Sequence, residues 1–386
     1  MVSPARFAVA VVSGLGLMAC GAQGPISIGH STASASRSAP EVQSPTTASS
    51  ARQADACSQP QAAPYFGPST PSSRNLALVS LKGSNDFVVR DISDINHPFT
   101  VSSLGGLVDY AAQFVSATQL SDLDATLGLV RMPLSGSPRT VVAPCGGTLF
   151  AWNPDGTAVA YVAGGIDSKV NQLHMVSGGR DTIVDTISSP FQGAVGCESR
   201  SCGDTWFFRV LYSPNGAFVA LAESPGPGIR IYTPRGALVD SVDALSPTMA
   251  VWSGSALYWR DDKGIEMWRD GSRSLVLPGV SWIRPHASPA GGQIVYETRE
   301  PGYTTAHTFV LDTANGASRE IAQSRSEPAF LTARYLWYLG ERSCTPAGSC
   351  ITPTVPTDVT YIYDLQTGTE SQSIITQVRD VWPHPA

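Results

Sequence analysis

A short phrase recurs along this chain: an aromatic residue, a tight turn, then an apolar strand. Trp152-Asn153-Pro154-Asp155-Gly156 runs into Ala158-Val159-Ala160-Tyr161, and Tyr212-Ser213-Pro214-Asn215-Gly216 into Phe218-Val219-Ala220-Leu221. Worn copies follow as Trp252-Ser253-Gly254-Ser255 before Ala256-Leu257-Tyr258-Trp259, and as Ser288-Pro289-Ala290-Gly291-Gly292 before Gln293-Ile294-Val295-Tyr296. Strand-bearing repeats spaced by roughly 35–60 residues cannot each bury a face alone, so they predict a propeller or another stacked array. An architecture of this kind hosts unrelated activities, so function has to be read from the site.

Short alternating or apolar runs bounded by Gly, Pro, Asn, Asp and Ser mark the strands. Four such runs per repeat, A innermost to D outermost, fit 149–152, 158–161, 172–176 and 182–187 in the third repeat. The fourth, fifth and sixth follow in the same order, and the seventh is placed at 329–331, 335–339, 360–363 and 371–375. An eroded second repeat fits 112–142. The first repeat, 76–104, has runs for B, C and D with no A before them. The missing strand stands at the other end, in Val378-Arg379-Asp380-Val381-Trp382. The expectation is an all-β propeller of seven four-stranded blades, closed by the C-terminal strand so that no inner sheet edge stays open. A six- or eight-bladed ring is the alternative reading of the second repeat.

The aromatic-Ser/Asn-Pro-Asp/Asn-Gly turn resembles the W-S-P-D-G repeat of TolB-like propellers, over residues from about 74 to 386. The resemblance implies protein–protein contacts, or service as a module beside a peptidase. No peptidase domain fits in the chain.

Ahead of the repeats, Arg6 and the apolar run 7–18 form a segment shorter than the about 20 residues that span a bilayer. Leu17-Met18-Ala19-Cys20 resembles the bacterial lipobox, which implies cleavage after residue 19 and a lipid on Cys20. Residues 20–56, dominated by small and polar side chains, read as a disordered tether, and 57–386 as the propeller. The chain is thus expected at the cell membrane, on its extracytoplasmic face. Six cysteines remain, an even number that suits disulfides in an exported chain. Cys197 with Cys202 and Cys344 with Cys350 read as local staples, leaving Cys57 with Cys145. The lack of a C-x₂-C pair argues against zinc, and no cofactor is implied. A net charge of −6 with no Lys/Arg run argues against nucleic acid.

The candidate site follows from unequal connections. The A–B and C–D turns, on one face, are tight. The connections on the other face are expected to be long at 188–205 (D–A) and at 223–228, 297–306 and 340–358 (B–C). Long ordered loops in compact domains are often functional. Arg209, Arg284 and Arg379 each stand three residues before the aromatic slot of an inner strand, near the long-loop mouth of the channel. Their planar forks suit a carboxylate or phosphate. Inter-blade salt bridges, for instance with Asp380 or Asp204, are the alternative. Trp206 and Tyr303, in long connections, could stack on a sugar, while His286 reads as a structural residue. No G-x-S-x-G or H-E-x-x-H is present. The expectation is a binding or scaffolding module for an envelope protein, peptide or glycan. The alternative is a carbohydrate lyase or glycosidase at the same mouth.

Overall fold

The computed structural model describes residues 63–383 apart from 70–71, 85, 106–107, 109–110, 125, 145, 164–170, 188–207, 224–227, 300–304 and 344–353. The described strands form seven four-stranded antiparallel sheets, the blades of a β-propeller. Blade 1 takes strand A from Ile375–Trp382 and strands B to D from Leu76–Leu81, Phe87–Asp91 and Phe99–Gly105. Blade 2 comprises Gln113–Ser116, Gln119–Asp124, Gly128–Pro133 and Thr140–Ala143. Blade 3 comprises Gly146–Trp152, Ala158–Ala163, Asn171–Ser177 and Arg180–Ile187. Blade 4 runs Phe208–Tyr212, Val219–Glu223, Gly228–Tyr232 and Leu238–Val242. Blade 5 runs Val251–Ser253, Ala256–Arg260, Gly264–Arg269 and Ser272–Pro278. Blade 6 holds Ile283–Ala287, Gln293–Arg299, Ala306–Asp312 and Ser318–Gln323. Blade 7 holds Arg325–Phe330, Tyr335–Ser343, Thr354–Asp364 and Thr369–Ser373.

A sheet buried on both faces needs a neighbour on each, and the ring supplies it. The core divides into seven apolar clusters, one at each blade interface. The seam is built like the rest: Ala77, Val79, Ile375 and Val381 of blade 1 pack against Ala329, Leu331 and Trp337 of blade 7. Strand A of blade 1 pairs with strand B from Leu76↔Trp382 to Leu81↔Ile375. The strand from the C-terminal part of the chain thus closes the ring, as its sequence predicts.

The recurrent turn owes its residues to hydrogen bonding. Asn153 Oδ1 accepts from Ala158 N–H at 2.9 Å, and Gly156 N–H returns to Asn153 C=O at 3.0 Å with φ +72°. Ser213 Oγ takes the Asn role, accepting from Phe218 N–H at 2.9 Å. Polar groups at these turns are satisfied locally. Residues 63–69 cross this short-turn end. Ser69 N–H donates to Asp155 C=O at 2.7 Å, and Phe66 packs edge-on against Trp152 at 5.5 Å. The Arg131 guanidinium stacks over both rings, 4.8 and 5.2 Å from their centroids.

Three expectations about the opposite face are corrected. The B–C connection of blade 7 does not begin at 340: the ladder runs on through Glu341↔Pro356 to Ser343↔Thr354. Gly340 and Pro356 read as strand breakers, but a bulge between Leu339 and Glu341 takes up Gly340, and pairing resumes with Pro356 opposite Glu341. In blade 6 pairing continues to Arg299↔Ala306, and in blade 4 Glu223 pairs with Gly228. Long hairpin arms therefore replace part of what reads as loop. Strand A of blade 7 also starts earlier than 329, at Arg325, because a bulge at Glu327-Pro328 breaks its alternation.

Candidate functional site at the long-loop mouth

The inner strands bring polar side chains into the channel, and several stitch one blade to the next. Asp380 Oδ2 of blade 1 accepts from Phe114 N–H of blade 2 at 2.6 Å, and Gln113 Nε2 donates to Phe150 C=O of blade 3 at 3.1 Å. Arg209 Nη1 of blade 4 donates to Ala250 C=O, at the entry to blade 5, at 2.9 Å. Phe330 N–H of blade 7 donates to His286 Nδ1 of blade 6 at 3.2 Å. This fixes the neutral imidazole with its proton on Nε2.

His286 is enclosed by protein yet still touched by solvent, as expected of a group lining a narrow channel. Burial pushes its pKa down to about 4; Asp380 pulls it up, Arg209 pushes it down, and a backbone hydrogen bond at Ala287 favours the cation. As pH falls through 6.5 the unfolded chain takes up a proton that folded His286 refuses. Stability is therefore lost between about pH 6.5 and pH 4, by up to about 3 kcal/mol for a shift of this size. His286→Gln keeps an acceptor for Phe330 N–H and should remove this slope. Urea midpoints measured at pH 7 and pH 4.5 for both proteins check it. Identical slopes in the two would refute the assignment.

At the long-loop end of blades 6 and 7, charges are packed against one another. Glu297, with its side chain 0% exposed, has Arg299 Nε 2.7 Å from Oε1 and Arg284 Nη1 3.4 Å from Oε2. It also accepts from Glu327 N–H at 3.0 Å. Arg299 reaches on to Glu341 at 2.6 Å, whose carboxylate is 1% exposed and accepts from Ala306 N–H. Arg284 Nη2 lies 3.5 Å from Glu327 Oε1, across the interface between the blades. Burial pushes the Glu297 carboxyl up; Arg284 and Arg299 pull it down, as does the Glu327 N–H, and Glu341 pushes it up further.

The three arginines aligned from the sequence do not share one environment. Arg209 bonds to the backbone of the next blade, and its charge is felt at His286. Arg284 meets carboxylates from its own blade and the next. Arg379 is the extra residue of a bulge, between Asp380↔Leu78 and Val378↔Val79. Trp206, Tyr303, Cys20 and the pairs Cys57–Cys145, Cys197–Cys202 and Cys344–Cys350 all lie outside the described residues or have no described side chain. Sequence reasoning missed Glu327, Glu297 and Glu341. For Glu327 a signal exists: it stands three residues before Phe330, which fills the aromatic slot of blade 7. Glu297 and Glu341 lie in strand extensions that read as loops. Among the described residues no group of three His, Cys, Asp or Glu side chains is placed to hold a metal ion, and no helix is long and apolar enough to cross a membrane.

No protein-family model matches the chain, and no curated protein is similar to it in sequence. Solved structures do resemble it. Hydrazine synthase from Kuenenia stuttgartiensis is 12% identical over 59% of this chain and 66% of that one, with a TM-score of 0.39. TolB from Acinetobacter baumannii is 15% identical over 80% and 66%, with a TM-score of 0.37. This chain thus spans just under two thirds of the length of either. A putative 6-phosphogluconolactonase from Bacteroides uniformis is 12% identical over 80% and 99%, with a TM-score of 0.49. Likeness at this level carries nothing about activity.

Proposed function

We propose that this chain is a lipid-anchored, extracytoplasmic β-propeller that binds an envelope protein, peptide or glycan through its long-loop face. The observation that carries this reading is the difference between the two ends of the ring. The short-turn end spends its polar groups on its own turns and is crossed by residues 63–69. The other end holds partly exposed charged side chains on inner strands, beside the longer connections. Arg209, Arg284 and Arg379 line its mouth, with Trp206 and Tyr303 in the neighbouring connections, and Cys20 bears the lipid.

The alternative, a propeller enzyme acting on carbohydrate, gains from the three carboxylates Glu297, Glu327 and Glu341. Two of them are sealed from solvent and committed to Arg299. A general acid or base must come within hydrogen-bond reach of the substrate. Only Glu327 meets that condition, so binding is the better-supported reading.

A photo-reactive residue at Thr305, on the long-loop face, tests it against one at Thr367, in a short turn, both in the membrane-associated protein. Thr305 should crosslink to a discrete envelope species that Thr367 does not reach. The same products from both positions would overturn the reading. Cys20→Ser should release the protein from the membrane fraction.

A further inference from the structure

One connection at the short-turn end departs from the tightness of the rest. Residues 92–98 of blade 1 form the longest of the seven C–D connections. Their backbone is organised from within: Asp91 Oδ1 accepts from Ser93 N–H, and Asp94 Oδ1 from Asn96 N–H, both at 3.0 Å. The connection brings Ile95 and Asn96 to a crevice of about 200 Å³ shared with blade 7. Blade 7 lines it with Arg334, Tyr335, Ile362, Asp364, Thr369 and Ser371. The crevice therefore straddles the seam where the ring closes.

Its walls divide by chemistry. Ile95, Tyr335 and Ile362 pack against the apolar cluster that joins blades 1 and 7. Asn96, Arg334, Thr369 and Ser371 are exposed. Arg334 is held in place twice. Its Nε donates to Asp364 Oδ1 at 2.8 Å while Nη2 meets Oδ2, and its guanidinium lies 5.1 Å from the Tyr335 ring centroid. A guanidinium carries five N–H donors, and this pairing engages only its Nε–Nη2 edge, so Nη1 keeps two. The Arg334 side chain is 45% exposed, so those donors are within reach of a solute.

This lining selects against most ligand classes. Arg334 and Asp364 are the only charged residues among those that line the crevice, and they cancel. An ion of either sign gains little from a compensated pair. A wholly apolar ligand would strand the amide, hydroxyl and guanidinium groups without partners, which is costly. What remains is a neutral molecule rich in hydroxyls with an apolar face. The volume is below the roughly 300–1,000 Å³ of pockets for drug-sized ligands, so a single ring enters.

We infer that this crevice is a site for a neutral carbohydrate, bound through a vicinal diol of one terminal ring. One hydroxyl accepts from Arg334 Nη1 and donates to the Asp364 carboxylate. Its neighbour bonds to the Asn96 amide and the Ser371 hydroxyl, and the C–H face of the ring lies against Ile95 and Ile362. The site is separate from the long-loop face and stands whether or not that face binds a partner.

The test is ligand-observed saturation-transfer NMR on the folded protein. The probes are methyl α-D-glucopyranoside, methyl α-D-mannopyranoside and tetrahydropyran-2-methanol, which keeps the ring but lacks the diol. At least one glycoside should bind saturably, and tetrahydropyran-2-methanol should not. Arg334→Gln should weaken glycoside binding about tenfold or more, as loss of a charged hydrogen-bond partner does. Ser371→Trp fills the crevice from an exposed strand position and should abolish binding with the Arg334–Asp364 pair intact. Unfolding midpoints of both variants confirm that they fold. Binding by neither glycoside, equal binding of tetrahydropyran-2-methanol, or an unchanged affinity in Ser371→Trp would each overturn the proposal. The Thr305 crosslink should survive in Ser371→Trp, so this site and the long-loop face stand or fall separately.

Discussion

Deleting residues 375–386 should leave a chain with no cooperative unfolding transition. The deletion removes strand A of blade 1 and, with it, Ile375, Val381 and Trp382, all buried. Burial of three such side chains is worth about 1.5–3 kcal/mol each. The deletion also strips the pairing edge from Leu76, Ala77, Leu78 and Val79, none of which is exposed in the intact ring. Two of the seven interface clusters lose members at once. The sum exceeds about 5 kcal/mol, the lower end of the total stability of a typical domain. Tryptophan fluorescence in urea would show a broad, featureless drift in place of a sigmoid. A synthetic peptide of residues 375–386 added in trans should restore the sigmoid, since it supplies the same edge and the same side chains. A truncated protein with a normal midpoint would show that the seam is dispensable.

Gly264→Ala should cost about 3–5 kcal/mol, more than most single substitutions. Gly264 opens strand C of blade 5 at φ +143°, a backbone that side-chain-bearing residues rarely adopt. An added Cβ would sit 2.1 Å from Leu277 C=O and 2.9 Å from Gly279 N, backbone atoms of the neighbouring strand and its exit that cannot step aside singly. Backbone strain and overpacking each cost about 1–3 kcal/mol. The position is a repeat feature: Gly128 and Gly228 open the C strands of blades 2 and 4 and face Ala143 C=O and Val242 C=O in the same way. Gly254→Ala is the control. Its φ is +59°, but nothing lies within 4 Å of the added carbon, so only the backbone cost applies, about 1–2 kcal/mol. Equal shifts of the urea midpoint in the two variants would refute the steric account.

The ring was legible because its rule is local. Each aromatic slot, turn glycine and apolar strand follows from hydrogen bonding and burial within a few residues, as at Asn153–Gly156, and the pattern repeats often enough to be counted. The closing strand was legible for the same reason: 378–382 looks like an inner strand, and the first repeat lacks one. The site was less legible because it is built from departures from that rule. Glu327 escaped notice because Pro328 and a left-handed backbone break the alternation that marks strands. Glu297 and Glu341 escaped because a charged residue just past an apolar run reads as a solvated loop, whereas both strands run on and the two carboxylates are buried. Arg209, Arg284 and Arg379 were found through their common register. That register does not reveal which carbonyl or carboxylate each one meets, since the partners come from blades adjacent in space and distant in sequence.

The seam also sets an order of events. Leu76 is made long before its partner Trp382. Until then the inner edge of the first sheet has no partner, and its apolar rows face whatever is nearby. Bringing such distant segments together is the slow part of assembling a fold. Blades 2 to 7 consist of consecutive strands and can form as the chain emerges, but blade 1 must wait. A nascent chain that stops short of residue 375 is therefore a nearly complete ring with one sticky edge, the state in which it is most exposed to aggregation and proteolysis.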